Sequence, residues 1–200
     1  MVKQPVVYVI AGPNGSGKTT FATKFLPAVA KCDEFVNADS IAMGLSPLSP
    51  QSVRIDAGRI LLKRIKALAS AGKTFGFETT LSGRTYLRMF RAMRERGYQI
   101  HIFFLWVRSV ELALKRIADR VKLRGHDVPE PDVRRRYVTG VRNLFAAYRP
   151  LADAIVIMDN STEKPALVAV AGVDGFVVHD KKILAEMLEA GNIAKDEFER

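Results

Sequence analysis

Gly12-Pro13-Asn14-Gly15-Ser16-Gly17-Lys18-Thr19 follows the apolar, β-branched run Val6-Val7-Tyr8-Val9-Ile10 and leads into a helix-compatible stretch at 19–26. Glycine first and Gly-Lys-Thr last is the pattern of a phosphate-cradling loop. A buried strand must deliver such a loop and a helix must begin at its end. Backbone N–H groups and the positive helix N-terminus then surround a phosphate. Lys18 would reach the β- and γ-phosphates, and the Thr19 hydroxyl would ligate Mg²⁺. Gly12, Pro13, Asn14, Gly15, Ser16, Gly17, Lys18, Thr19 and Thr20 are therefore the expected nucleotide-binding residues, with ATP and Mg²⁺ as the ligands.

Working outward, the 200 residues suit one α/β domain over 1–200, with 48% hydrophobic and 26% charged residues. No apolar run approaches a membrane span. The chain is strand-like by Val6 with one lysine before it, which predicts no cleaved secretion leader. The single cysteine, Cys32, leaves no intrachain disulfide framework and fits a reducing cytoplasm. Net charge is +10, unevenly spread: 54–149 holds 22 Lys/Arg against 8 Asp/Glu, and the remainder is net acidic. That basic middle points to nucleic acid or to a small anionic substrate, unless its arginines simply solvate helix faces.

Short β-branched or aromatic runs alternate with longer amphipathic segments, the mark of βαβ units and a parallel sheet. Strands are expected at 6–10, 35–37, 74–77, 100–107 and 154–158, and helices at 51–71, 84–96, 109–123 and 131–148. Gly72 and Gly97 stop two of these helices, and Ser109 caps a third. A β-hairpin is expected at 167–171 and 176–179 around a four-residue loop, 172–175, followed by a helix over 180–190. The predicted fold is a three-layer α/β/α P-loop domain. Its mostly parallel five-stranded sheet should take the order 2-3-1-4-5 of nucleoside kinases, with the hairpin as an appendage.

Neither the base-reading motif of switch GTPases nor an ABC-type signature is present. Instead Asn37-Ala38-Asp39-Ser40 stands at the end of the second strand, 21 residues after Lys18. A carboxylate there lies on the carboxyl rim of the sheet, where transfer to a hydroxyl needs a proton acceptor. Asp39 could also cap a helix starting at Ser40, and both roles can hold. The third strand runs into Glu78-Thr79-Thr80-Leu81-Ser82-Gly83. Glu78 is placed to hold Mg²⁺ through water or to grip acceptor hydroxyls, and Thr79 and Thr80 belong to a pocket wall. A lid is expected over 116–136: Arg116 and Arg120 share a helix face, Gly125-His126-Asp127-Val128-Pro129 breaks it, and Arg134-Arg135-Arg136 opens the next helix. Mobile arginines closing over a transferring phosphoryl group supply electrostatic stabilisation.

In this order and spacing, Gly-Pro-Asn-Gly-Ser-Gly-Lys-Thr-Thr, Asn-Ala-Asp, Phe-Glu-Thr-Thr-Leu-Ser-Gly and Gly-His-x-Val-Pro before Arg-Arg-Arg-Tyr closely resemble the zeta-toxin-like P-loop kinases, more narrowly their compact chromosomal members. The resemblance covers about residues 6–161. Founding members use ATP to phosphorylate the 3′-hydroxyl of UDP-N-acetylglucosamine. The resemblance thus implies a kinase of a nucleotide sugar, with an antitoxin protein as a possible partner. It also implies Lys18 and Thr19 on phosphate and Mg²⁺, Asp39 as base and Glu78 on the acceptor. Arg120 and one of Arg134, Arg135 and Arg136, with Arg135 the choice, would clamp phosphates. Two further functions fit the same residues: a polynucleotide 5′-hydroxyl kinase and an ATP-binding regulatory module without acceptor turnover.

Overall fold

Strand β1 (Val6–Ala11) occupies the middle of the sheet, and its composition explains why. Val7, Val9, Ile10 and Ala11 are fully buried. A strand covered on both faces needs apolar side chains at odd and even positions, which a continuous β-branched run supplies. In this computed structural model, which describes residues 4–122, 127–173 and 175–194, β1 pairs in parallel with β3 (Phe75–Thr79) and β4 (Gln99–Trp106). Next to β3 lies β2 (Phe35–Val36), and next to β4 lies β5 (Ala154–Asp159), both parallel. The parallel part has the expected order 2-3-1-4-5.

The hairpin prolongs this sheet. β6 (Ala166–Gly172) pairs antiparallel with β5, and β7 (Gly175–Val178) with β6, so the sheet has seven strands among the described residues. Gly172 pairs with Gly175, so both strands run closer to the turn than the expected loop at 172–175 allows. Gly175 has φ +103°, a conformation costly for other residues.

Among the described residues the α-helices are α1 (Lys18–Phe25), α2 (Ala38–Leu45), α3 (Arg54–Ser70), α4 (Thr85–Glu95), α5 (Val110–Lys122) and α6 (Glu130–Asn143) between strands, and α7 (Lys181–Ala190) after the hairpin. Pro27 has no N–H to continue the ladder of α1, and the chain widens into a π-type turn, Leu26–Ala30. A 3₁₀ turn at Pro50–Val53 takes the start of the helix expected at 51–71. The helix expected to reach 148 changes to a π-type turn at Leu144–Tyr148. Ser109 does cap α5: its Oγ accepts from Leu112 N at 3.1 Å.

One apolar cluster joins β1, β3, β4 and β5 to α3 through α7, with Phe77, Phe90, Ile102 and Tyr148 fully buried. Truncating a ring such as Phe90 to alanine would cost about 3–5 kcal/mol. A smaller cluster of Ile10, Ala22, Leu26, Cys32 and Leu105 covers the opposite face under α1. No helix among the described residues is long and apolar enough to cross a membrane. The parallel register aligns the carboxyl ends of β1, β3, β4 and β5, and the site is built on that rim.

Candidate active site

The loop between β1 and α1 is wedged against its neighbours. A Cβ on Gly12 would lie 2.0 Å from Leu105 O, and one on Gly15 2.5 Å from Ala113 O, so both positions require glycine. Helix α1 has neither a side-chain cap nor an acidic residue in its first turn. Its N–H groups and positive end are thus left for an anion, which fits a nucleotide phosphate. Lys18 is 6% exposed, and its Nζ donates to Pro13 O at 2.8 Å. Burial pushes its pKa below the ordinary lysine value, and the nearby Glu78 carboxylate opposes that shift.

Glu78 is the hub. The β1–β3 register sets Glu78 beside Ile10, one residue before the loop side of the sheet is reached. Its Oε2 accepts from Thr19 Oγ1 and from Asn37 Nδ2, each at 2.7 Å, while its Oε1 lies 3.7 Å from Lys18 Nζ. A hydroxyl and a carboxylate this close are hard oxygen donors of the kind Mg²⁺ takes beside phosphates and water. The residues present fit that ion. Asn37 does two jobs, since its Oδ1 also accepts from Ser40 N at 3.0 Å and so caps α2. The cap is therefore Asn37, not Asp39. An extended backbone at Asn37 (φ −132°, ψ 126°) suits the Ncap position, whereas Asp39 already lies inside the helix. Asp39 is exposed in the first turn of α2 and faces a cavity.

Two cavities meet at this hub. One, of about 670 Å³, is bordered by the loop, Thr19, Thr20, Phe21, Phe25, Arg116, Arg120, Asn160 and Pro165. The other, of about 400 Å³, is bordered by Asn14, Asp39, Thr79, Thr80, Tyr86, Arg135 and Arg136. Lys18 and Glu78 border both.

The arginines divide by neighbourhood. Arg116 donates to Asn160 O at 2.8 Å and Ser161 O at 3.0 Å, while Asn160 Nδ2 donates to Ser16 O at 2.7 Å. Arg116 thus braces the segment that holds the phosphate loop. Arg120 borders the larger cavity. Arg134 turns away to Glu130 at 2.8 Å and Glu111 at 3.1 Å. Arg135 borders the smaller cavity, mostly exposed and paired with Asp132 at 2.9 Å. Arg136 is more buried and reaches the loop itself, with Nη1 3.5 Å from Asn14 Oδ1. Burial lowers the Arg136 pKa, and Asp132 acts against that. Gly125 and His126, in the expected lid break, lie outside the described residues; Asp127–Pro129 follow it directly.

Two contributors had no role assigned from the motifs: Asn37 as donor to Glu78 and cap of α2, and Asn160 as the loop's tether. For Asn160 the available signal was a polar Asp-Asn pair at the end of the fifth strand, the rim position where ligands of such sheets bind.

The model of the AAA domain family AAA_33 matches residues 7–136, more than half of the chain, from β1 into α6. An uncharacterized protein of Haemophilus influenzae is 33% identical over 136 residues, which make up 68% of this chain and 95% of that one. Among solved structures, the AvrRxo1-ORF1:-ORF2 complex with ATP superposes with a TM-score of 0.75 and 19% identity over 92% of this chain, which spans 63% of that chain. The PezAT chromosomal toxin–antitoxin system of Streptococcus pneumoniae gives a TM-score of 0.63 and 17% identity, covering 99% of this chain and 89% of that one. These likenesses show the fold, a three-layer α/β P-loop domain. With the phosphate loop, the Glu78 hub and the arginine run all inside the matched segment, the chain belongs to the AAA domain family AAA_33.

Proposed function

We propose that this chain is an ATP-dependent phosphotransferase acting on a hydroxyl of a small anionic acceptor, with a nucleotide sugar such as UDP-N-acetylglucosamine as the foremost candidate. One observation carries the proposal: two cavities on opposite sides of the phosphate loop share Lys18 and Glu78 as their common wall. A nucleotide in the larger cavity and an acceptor in the smaller one would meet at Lys18. The smaller cavity joins hydroxyls (Thr79, Thr80, Ser82) with cations (Arg135, Arg136), the donor set that suits a polyhydroxylated anion.

In this scheme the loop N–H groups and the start of α1 hold the β- and γ-phosphates, and Phe21 and Phe25 line the nucleotide cavity. Thr19 would hold Mg²⁺ directly and Glu78 through water; when bound, the ion neutralises charge on the phosphates. Asp39 accepts the acceptor hydroxyl's proton as that oxygen bonds to the γ-phosphorus. The bond from phosphorus to the β–γ bridging oxygen breaks, and ADP leaves with its electron pair. Arg120 from the nucleotide side and Arg136, with Arg135 beside it, stabilise the charge spread over the transferring group. A zeta-toxin-like kinase in the cytoplasm, with an antitoxin partner, is the family-level form of this proposal.

Incubation with γ-labelled ATP, Mg²⁺ and either UDP-N-acetylglucosamine or a 5′-hydroxyl oligonucleotide tests it. Label on the nucleotide sugar is the expected result. Label on the oligonucleotide alone would replace the acceptor class with a polynucleotide. Tight ATP binding with no label on any of a panel of anionic hydroxyl compounds would overturn the enzyme and leave a regulatory module.

A further inference from the structure

Neither cavity uses most of the basic middle of the chain. Much of it lies on α3 and α4, which run side by side on the sheet face opposite α1 and touch where Arg96 Nη1 meets Ser70 Oγ at 3.2 Å. Between them lies an open groove of about 280 Å³. Its floor is apolar, formed by Ala69, Met89 and Met93, and its rims carry Lys66 on α3 and Arg88 and Arg96 on α4. Arg88, Ala92 and Arg96 recur at i, i+4 and i+8, so they form one stripe along α4.

Three neighbouring cations are paired: Arg59 with Asp56, Arg64 with Glu34 and Arg94 with Asp153. For Lys66, Arg88 and Arg96 no carboxylate lies within 4.0 Å among the described residues. An apolar trough with Lys66 on one rim and Arg88 and Arg96 on the other is complementary to a helix whose apolar stripe is flanked by carboxylates. Methionines in the floor adapt to whichever aliphatic side chains enter. Nucleic acid fits less well, because a single-strand platform offers free aromatic faces. The rings of α4, Tyr86 and Phe90, are packed against Phe77 instead.

We propose that the α3–α4 groove docks an acidic amphipathic helix of a protein partner. The partner's apolar residues seat on Ala69, Met89 and Met93, and its carboxylates meet Lys66, Arg88 and Arg96. None of these residues borders either cavity of the active site, so docking and nucleotide binding are separate events, and the proposal does not rest on the catalytic one.

The test uses the full chain and a fluorescein-labelled peptide of about five helical turns, roughly 18 residues, with leucines on one stripe and glutamates flanking it. A scrambled peptide of equal composition and a single-stranded RNA of matched length are the comparators. Fluorescence anisotropy should show the striped peptide binding at least about tenfold tighter than the scrambled one. A Lys66→Glu/Arg88→Glu protein should lose about tenfold or more of that affinity with an unchanged melting temperature. Ala92→Glu, at an exposed helical position four residues from both Arg88 and Arg96, should weaken binding by setting a carboxylate against both rim cations. A non-hydrolysable ATP analogue should not displace the peptide. Equal binding of the two peptides, indifference to these substitutions, displacement by the analogue, or binding of RNA in place of the peptide would each overturn the proposal.

Discussion

Asp39→Asn separates chemistry from structure more cleanly than any other change at this site. The capping of α2 belongs to Asn37, whose Oδ1 accepts from Ser40 N, so Asp39 carries no capping load. What the substitution removes from the folded state is a first-turn negative charge at an exposed position. Such a charge near a helix N-terminus contributes about 0.3–1 kcal/mol. For a chain of this length that corresponds to a fall of at most about 2–4 °C in melting temperature. The expected effect on turnover is far larger. A lost general base typically costs about 10²–10⁴-fold, or about 2.7–5.4 kcal/mol of barrier. A loose phosphoryl-transfer transition state with little proton motion would place the loss near the lower end. ATP affinity should stay within a few-fold, because Asp39 faces the smaller cavity and not the nucleotide side. Calorimetric ATP binding, thermal melting and acceptor phosphorylation on one preparation give the three numbers. Turnover equal to the parent would refute the assignment of Asp39 as base. A collapse in melting temperature with a proportional loss of activity would refute the claim that Asp39 is structurally idle.

Three other outcomes are expected. Alanine at Arg136, Arg135 and Arg134 in turn should lower kcat in that order of severity. Arg136 approaches a loss of about 10²-fold, a size seen when one charge-stabilising donor is removed, and Arg134 has little effect because Glu130 and Glu111 hold it elsewhere; steady-state kinetics would show a reversed ranking plainly. Asn160→Ala deletes the bond to Ser16 O and should cost about 1 kcal/mol of stability while raising KM for ATP more than it lowers kcat; a pure loss of stability with unchanged KM would deny the tether its role. Burial holds the His101 pKa below its ordinary 6.5, with Asp153 opposing. The unfolded chain therefore takes up that proton first, and stability should fall as pH drops below about 6.5 and level off beneath the folded value. Thermal melts from pH 7.5 to 5.5 should show a smaller decline for His101→Gln than for the parent.

How far the fold could be read ahead depended on how local its determinants are. β1, β4 and β5 announce themselves through continuous apolar runs, and α3 and α4 through Gly72 and Gly97, which stop them at φ +64° and +81°. Events that depend on a single missing donor or on long-range pairing were not legible. The widening of α1 after Phe25 follows from Pro27, and the junction of the hairpin with β5 depends on Val156 finding Val170 across the sheet. Nothing in the hairpin's own sequence says which strand it will join.

The candidate site divides in the same way. The phosphate loop is legible because its chemistry is confined to consecutive residues that glycine alone can fold. Glu78 was visible as an acid at a strand end, yet its setting was not. The contacts that define it come from Thr19 and Asn37, 59 and 41 residues away in sequence. Sequence could bring an acid to the rim, but only the parallel register of β1 against β3 decides that it lands beside Lys18 and between two cavities. The arginine run shows the converse. Three adjacent identical residues cannot be ranked by pattern, and helical geometry sends them about 100° apart in turn. Arg134 then meets α5, Arg135 the cavity rim and Arg136 the phosphate loop. The same 100° step distinguishes α4, where Arg88 and Arg96 share a face with apolar Ala92 and Met89. A basic composition thus resolves into two surfaces, one beside the phosphate loop and one on the groove proposed to dock a partner.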